Sequence, residues 1–168
     1  MNELYEQLLR DMEIALDRFS SRVPPPQRVP FVQGRFVFRY IERTAQQAIV
    51  QKLARIVTGL RAALLLLRNG LIQEQAVIQR VLGELQEDVV FLTYGVVNSE
   101  TDLHKSFLAA FYEEEFDNPE SALRSSQKRP MVPRRKIQAY LANVDGIIGN
   151  PSDNQEVTRT LTKAFSGF

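Results

Sequence analysis

The sequence predicts an all-α protein: a helical bundle built on a long antiparallel helical hairpin, with shorter C-terminal helices. Apolar residues recur at spacings of three and four along most of the chain, and no stretch alternates convincingly enough for a strand. Asn69-Gly70 is a helix stop between two long apolar segments. A chain of 168 residues with 44% hydrophobic residues suits a single domain, residues 1–168.

The first predicted helix begins at the N-terminus, where apolar residues mark one face. These are Leu4, Leu8, Met12, Ala15 and Phe19. Residues 20–34 follow, and four prolines in seven residues predict an extended linker there, because proline cannot continue a helix. The N-terminus lacks the basic start and apolar centre of a signal peptide.

The hairpin is predicted from two helices, residues 35–69 and 72–94, joined by a break so short that the helices must lie back to back. The apolar stripe of the first contains Ile41, Ala45, Ile49, Leu53, Ile56, Leu60, Leu64 and Leu67, and that of the second contains Leu71, Ile78, Leu82, Leu85, Val89 and Leu92. Arg61 and Arg68 enclose only six apolar residues. A membrane span needs roughly 20, so we expect the leucines to be buried on both sides in the protein.

Two further helices are predicted closer to the C-terminus. Ser99 and Asp102 fit a capping pattern, and Pro133 opens a helix that turns Ile137, Tyr140 and Leu141 inward. Short helices are also predicted over about 118–126 and after residue 153. The last ends on an apolar residue, which leaves open a natural terminus or a longer protein cut short after it.

Charge is segregated along the chain although the net charge is only +1. Residues 18–68 hold ten basic residues and one acid, whereas residues 70–120 hold two basic residues and eleven acids. Either neighbouring elements neutralise each other, or a basic surface binds nucleic acid. We favour neutralisation, because the blocks follow one another and nearly cancel.

A polar cluster is predicted on the second hairpin helix, where Arg80, Glu84 and Asp88 follow one another at intervals of four. Residues four apart share a helix face, so Arg80 relieves the repulsion between the two acids. The cluster is either half of a functional site or an ion pair that also contacts the neighbouring helix, and we favour the second. The same helix should bring Glu84, Glu87 and Asp88 close to the arginine-rich first helix.

The best candidate for binding an anion or nucleic acid is a basic segment, residues 124–136. Its basic residues are Arg124, Lys128, Arg129, Arg134, Arg135 and Lys136. Three of them open a helix, where positive charge opposes the helix dipole and therefore needs a partner. The partner is either the acids of residues 113–115 or a phosphate backbone. We favour the internal acids, and binding of nucleic acid is left as the alternative.

Several chemistries are excluded by composition. The absence of cysteine excludes disulfides, thiolate metal sites and cysteine nucleophiles, and agrees with a cytoplasmic protein. The single histidine, His104, cannot form a two-histidine metal site, and we expect it on the surface. A site made from Glu84, Asp88, His104 and Glu114 is the remaining metal alternative, which we do not favour. No phosphate-binding loop or nucleophile motif occurs, so we predict no catalytic residue, metal or cofactor.

The segment LLRNGLIQEQAVIQRVLGELQEDVVFL resembles a group of uncharacterised bacterial all-helical proteins with a long helical hairpin. The likeness covers about residues 52–141. It is carried by Leu64 to Leu67, Gly70, Glu74, Arg80 and Glu84. The group is distantly similar to the HEPN class, which includes RNA-cleaving toxins and defence proteins. That class has an arginine four to six residues before a histidine at a dimer interface. No arginine precedes His104 at that spacing, so no catalytic residue is carried over.

Three functions follow from these patterns. The first is a non-catalytic helical protein that acts by association, as a homodimer, because its apolar stripes are wide and it lacks a reactive constellation. The second is a HEPN-like ribonuclease, or an inactive relative, in stress or phage defence. The third is nucleic-acid binding through residues 124–136. We choose the first, with no membrane partner.

Overall fold

The computed structural model describes residues 2–31, 34–112 and 131–147, and most of them are helical. The elements are α1 (Asn2–Ser20), β1 (Gln27–Pro30), β2 (Phe36–Arg39), α2 (Ala45–Arg68), α3 (Ile72–Val97), α4 (Asp102–Tyr112) and α5 (Arg134–Ile147). The all-α prediction is confirmed, with one small two-stranded sheet in addition. The basic residues at 124, 128 and 129, the acids at 113–115 and the helices predicted around 118–126 and after 153 lie outside the described residues.

The predicted hairpin of α2 and α3 is confirmed, and its corner is Gly70. Its φ of 74° lies in the left-handed region that glycine enters without strain. The side-chain amide of Asn69 donates to the Leu65 carbonyl at 2.7 Å, and the Leu71 N–H donates to the Leu66 carbonyl at 2.9 Å. These bonds satisfy carbonyls left open at the end of α2. The chain therefore reverses within three residues and α3 packs antiparallel on α2.

The predicted start of the first hairpin helix, at residue 35, is wrong by ten residues. Residues 36–39 form β2, which pairs antiparallel with β1, so that Val29 lies opposite Val37. The prediction of no strands is therefore wrong, and the segment predicted as an extended linker, residues 20–34, contains β1. Aromatic and β-branched residues alternating over only four positions favour a strand. This signal was missed because it covers only four residues and stands directly before the helical stripe.

The true start of α2 is set by a capping box at Thr44. The Gln47 N–H donates to Thr44 Oγ1 at 3.2 Å, and the Thr44 N–H donates to Gln47 Oε1, also at 3.2 Å. Arg43, directly before it, has a φ of 55° and turns the chain into the helix. Ile41, the first residue of the predicted stripe, lies outside the helix and is exposed. The Thr-x-x-Gln pattern could have marked this boundary from sequence.

The apolar core lies at one end of the hairpin, where α2 begins and α3 ends. Its fully packed members are Ala48, Ile49, Phe91, Leu92 and Ile137. The ring of Phe91 is at the centre, edge-to-face with Phe107 and Tyr140 at centroid distances of 5.5 and 5.2 Å. Helices α4 and α5 cover this end only. The inward placement of Ile137, Tyr140 and Leu141 is confirmed, with Ile137 buried and the other two packed against the core.

Helix α1 lies antiparallel along the other side of α2. Arg68 Nη2 contacts Glu6 Oε1 at 2.7 Å, and Arg61 forms an ion pair with Glu13. These two arginines of α2 therefore meet acids of α1. Of the three α3 acids predicted to lie close to α2, Asp88 contacts it, through Lys52. The packed side of α1 is also shifted from the predicted stripe. Leu9, Met12 and Leu16 are half-buried, whereas Leu8 is exposed.

Among the described elements, α1 alone packs beside the Gly70 end of the hairpin, because α4 and α5 do not reach it. Large apolar side chains there have exposed fractions of 41–66%: Leu65, Leu67, Leu71, Ile72, Val77 and Val81. The prediction that the leucine run is buried on both sides is therefore wrong for Leu65 and Leu67. No helix in the described ranges is long and apolar enough to cross a membrane.

Candidate functional site

The structure divides the predicted polar cluster of α3 into two parts. Arg80 Nε lies 3.4 Å from Glu84 Oε1, and both side chains are exposed, with fractions of 83% and 51%. Asp88 is buried and accepts a hydrogen bond of 2.7 Å from Lys52 Nζ on α2. Arg80 and Glu84 thus belong to the surface of α3. Asp88 belongs to the interior.

An ionic cluster joins three helices at this point: Lys52 and Asp88 are buried, and Glu87 and Arg134 are half-buried at its edge. The guanidinium of Arg134 donates to Asp88, and its Nε lies 3.3 Å from Glu87 Oε2. Two cations and two carboxylates give it no net charge. Each buried charge thus has an opposite partner, which offsets the large cost of removing it from water.

Aromatic rings complete the surroundings of Lys52. Its ammonium lies 4.7 Å from the centroid of Phe111 and 5.2 Å from that of Phe107, both on α4. The faces of aromatic rings carry negative potential, so they stabilise a cation further. Lys52 is not predicted as a site residue from the sequence, because its partner is 36 residues away. A lone lysine in an apolar stripe was the available signal.

The predicted internal pairing of the basic segment is found for Arg134, with acids other than those expected. Its partners are Glu87 and Asp88 of α3. Arg135 and Lys136 are exposed. The structure therefore brings together one residue of each predicted site, Asp88 and Arg134, and leaves two basic side chains of the described part of the segment facing solvent.

The prediction that His104 lies on the surface is wrong, because the residue is 0% exposed. Its ring stacks on that of Phe91, with centroids 4.1 Å apart and planes 8° from parallel. Nδ1 accepts a hydrogen bond of 3.2 Å from the Thr101 N–H, and Nε2 lies 3.0 Å from the Phe91 carbonyl oxygen. A carbonyl only accepts, so the proton is on Nε2 and the imidazole is neutral.

The burial of His104 follows from where α4 begins. The helix begins at Asp102, so Thr101 is its N-cap and His104 is its third residue. The predicted cap at Ser99 would have placed His104 two residues further into the helix. From there the imidazole reaches back to the cap, as the glutamate of a capping box does. His104 therefore caps the N-terminus of α4 and packs in the core beside Phe91.

These contacts give His104 no visible acid–base role. Burial lowers its pKa, and the hydrogen bond to the Phe91 carbonyl and the charge of Glu100 oppose that shift only in part. Both ring nitrogens are occupied. Glu114 of the metal alternative lies outside the described residues, and within the described ranges no three His, Asp or Glu side chains lie close enough together to hold an ion.

The lowered pKa of His104 predicts loss of stability in mild acid. The unfolded chain has the ordinary value of 6.5, so below it the unfolded state binds more protons than the folded state. The free energy of unfolding should be highest above pH 6.5, fall as the pH drops below it, and level off below the folded pKa. NMR of the single imidazole tests this. Titration of its ring protons near pH 6.5 in the folded protein would contradict the burial.

The exposed part of α3 forms a distinct surface, which we call the α3 surface: Val77, Arg80, Val81 and Glu84. Val77 and Val81 are one turn apart and have exposed fractions of 66% and 41%. Arg80 and Glu84 lie beside them on the same side of the helix. The surface is thus apolar at its centre and carries one charge of each sign.

Comparisons with known proteins do not add an identity to this geometry. No protein-family model, curated protein or solved structure matches the chain. The candidate sites therefore rest on their own chemistry. Of these, the Lys52–Asp88 pair and His104 are buried and hold helices together, whereas the α3 surface faces solvent.

Proposed function

We propose that this protein acts by association, as a homodimer that joins through the α3 surface. The observation that carries the proposal is the exposure of Val77 and Val81, 66% and 41%, on a helix whose other side is packed. Fully burying an aliphatic side chain of this kind contributes about 1.5–3 kcal/mol. Helix α3 is already ordered against α2, so association has little backbone to immobilise there.

A second copy fits because the surface complements itself. Twofold interfaces use the same patch on both partners, so a patch that carries both charge signs can pair with its own image. In an antiparallel pair of α3 helices that crosses near Val81, Arg80 of one copy lies beside Glu84 of the other. The two Val81 side chains then meet near the centre, the ion pairs lie on either side of them, and Val77 lies about 7.5 Å from the twofold axis.

Reversing the charges tests this pairing. Arg80→Glu and Glu84→Arg should each weaken the dimer by at least about tenfold, because each places like charges opposite each other in both symmetric pairs. The double variant Arg80→Glu/Glu84→Arg should restore dimer formation, since unlike charges face each other again. Light scattering over a dilution series measures the mass.

The control is the exposed pair of α4, where Lys105 Nζ lies 3.7 Å from Asp102 Oδ1. Lys105→Glu makes a similar change of charge away from the α3 surface and should leave the mass unchanged. A wild-type protein that stays monomeric at high concentration would refute the proposal. So would a double variant no better than the singles.

The other two functions gain less support from the contacts. The ribonuclease alternative would need a reactive imidazole, and that of His104 is enclosed. Binding of nucleic acid through residues 124–136 would draw on Arg134, whose guanidinium already holds two carboxylates. A cytoplasmic location remains part of the proposal, supported by the absence of cysteine.

A further inference from the structure

The two-stranded sheet presents aromatic rings to solvent, far from the α3 surface in the sequence. Phe36 and Phe38 have exposed fractions of 44% and 65%. Side chains alternate between the two faces of a strand, so both rings lie on the outer face, whereas Val37 between them is half-buried on the inner one. Two neighbouring exposed phenylalanines are unusual for a surface without a ligand.

An arginine lies on the same outer face. Arg28 of β1 is paired directly with Phe38 of β2, and its guanidinium carbon lies 3.6 Å from the centroid of the Phe36 ring. The two phenyl rings meet edge to face, with centroids 5.6 Å apart. The outer face of the sheet thus carries the exposed ring of Phe38 and, beside it, the guanidinium of Arg28 stacked on the ring of Phe36.

The surrounding chain is strongly basic. Residues 22–43 contain five arginines and one acid, Glu42, which is a net charge of +4. The side chains of Arg22, Arg28, Arg35 and Arg43 are exposed. The side chain of Glu42 is engaged by the Gln47 amide, which donates to it. Four exposed guanidinium groups thus outnumber the one exposed carboxylate of the sheet and its flanks.

A cavity of about 420 Å³ opens beside Phe38. Its walls include Tyr40, Arg43, Phe111 and Tyr112, as well as Phe38 itself. The Tyr112 hydroxyl donates to the Thr44 carbonyl at 2.6 Å, and burial raises the pKa of both tyrosines, which keeps them uncharged. The volume lies in the range of small-ligand sites, and its walls combine flat apolar faces with a cation.

We propose that the outer face of this sheet, with the adjoining cavity, binds single-stranded nucleic acid. Bases stack on Phe38 and on the Arg28–Phe36 pair, because every base has a flat face that an aromatic ring or a guanidinium can cover. Phosphates contact the arginines on either side. A duplex keeps its bases stacked inside, so it can use the charges but not the rings. The inference is independent of the dimer.

Fluorescence anisotropy with a labelled oligouridylate of roughly 12 nucleotides tests this, because known single-strand sites span about 4–16 nucleotides. Phe38→Ala and Phe38→Leu should each weaken binding by about 5- to 100-fold, since both remove the ring and leucine keeps the apolar character. Phe38→Trp should bind as well as the wild type. Arg35→Gln should reduce the salt slope of the binding constant by about 0.7.

The control is Tyr5→Ala, which removes an exposed aromatic ring from α1 and should leave binding unchanged. Circular dichroism and the urea midpoint establish that each variant is folded. The proposal is overturned by no binding of the single strand at about 50 mM salt, by equal binding of Phe38→Leu and the wild type, or by a preference for anionic lipid vesicles over the oligonucleotide. Equal affinity for a duplex would also overturn the proposal, because it would mean that the arginine charges bind the nucleic acid without stacking of bases on the rings.

Discussion

Replacing Gly95 by alanine is expected to destabilise the protein by about 2–4 kcal/mol. A Cβ atom at this position would lie 2.6 Å from Cδ2 of His104, and 3.0 Å from both Cγ and Nε2. The ring cannot yield easily, because it is stacked on Phe91 and hydrogen-bonded at both nitrogens. Any shift large enough to remove the overlap must therefore strain the core or break the bond to the Phe91 carbonyl.

A second glycine of the same helix provides the matched control. A Cβ at Gly83 would meet no atom within 4 Å, so Gly83→Ala should stabilise α3 by about 0.5–1 kcal/mol through the lower entropy of alanine in the unfolded chain. Urea unfolding of both variants, at one protein concentration, measures the difference. If both substitutions shift the midpoint equally, the ring of His104 is not held where the structure places it.

Asp88→Asn is expected to cost about 3–5 kcal/mol, the range found when one member of a buried ion pair is removed. The amide has nearly the same shape but carries no charge, so Lys52 would remain buried without its counter-ion. Its ammonium is 2.7 Å from Asp88, and its remaining described contacts of this kind are the faces of two phenyl rings. Their attraction is too weak to replace a carboxylate in a dry site.

The control is the same substitution at an exposed aspartate, because it shows how much of the effect comes from the burial of the charge. Asp11 accepts a hydrogen bond of 2.9 Å from the Gln7 amide on the surface of α1, and Asp11→Asn should change stability by less than about 0.5 kcal/mol. Replacing both partners, as Lys52→Met with Asp88→Leu, should recover most of the loss, because no unpaired charge remains. Chemical denaturation that finds Asp88→Asn as mild as Asp11→Asn would show that Lys52 reaches water.

Residue spacing predicts which side chains share a helix face, but not which of them are buried. Intervals of four correctly place Arg80, Glu84 and Asp88 along one side of α3. Spacing along one helix cannot show that Arg134, 46 residues later in the chain, contacts Asp88. Nor can it show that Arg80 and Glu84 are left exposed to solvent. Burial separates the last member of the row from the first two. That difference turns one predicted cluster into a structural ion pair and a surface for association.

Local chemistry determined the helices and their corner. A three-to-four-residue apolar period, a glycine that enters the left-handed region and a proline before α5 act over a few residues, so they can be read without a partner. The sheet of β1 and β2 was missed although its residues favour strands, because each strand is only four residues long and needs the other to satisfy its backbone.

Burial was decided by the tertiary structure alone. Lysine and histidine side chains are often exposed to solvent. Lys52 and His104 are buried because the packing of α2, α3, α4 and α5 supplies a carboxylate and aromatic rings for Lys52 and a backbone carbonyl for His104. The leucines beside Gly70 are of a type usually buried, yet three of them are exposed, because α4 and α5 do not extend to them. Sequence period determines which side of a helix is apolar. The length and position of its neighbours determine how much of that side is covered.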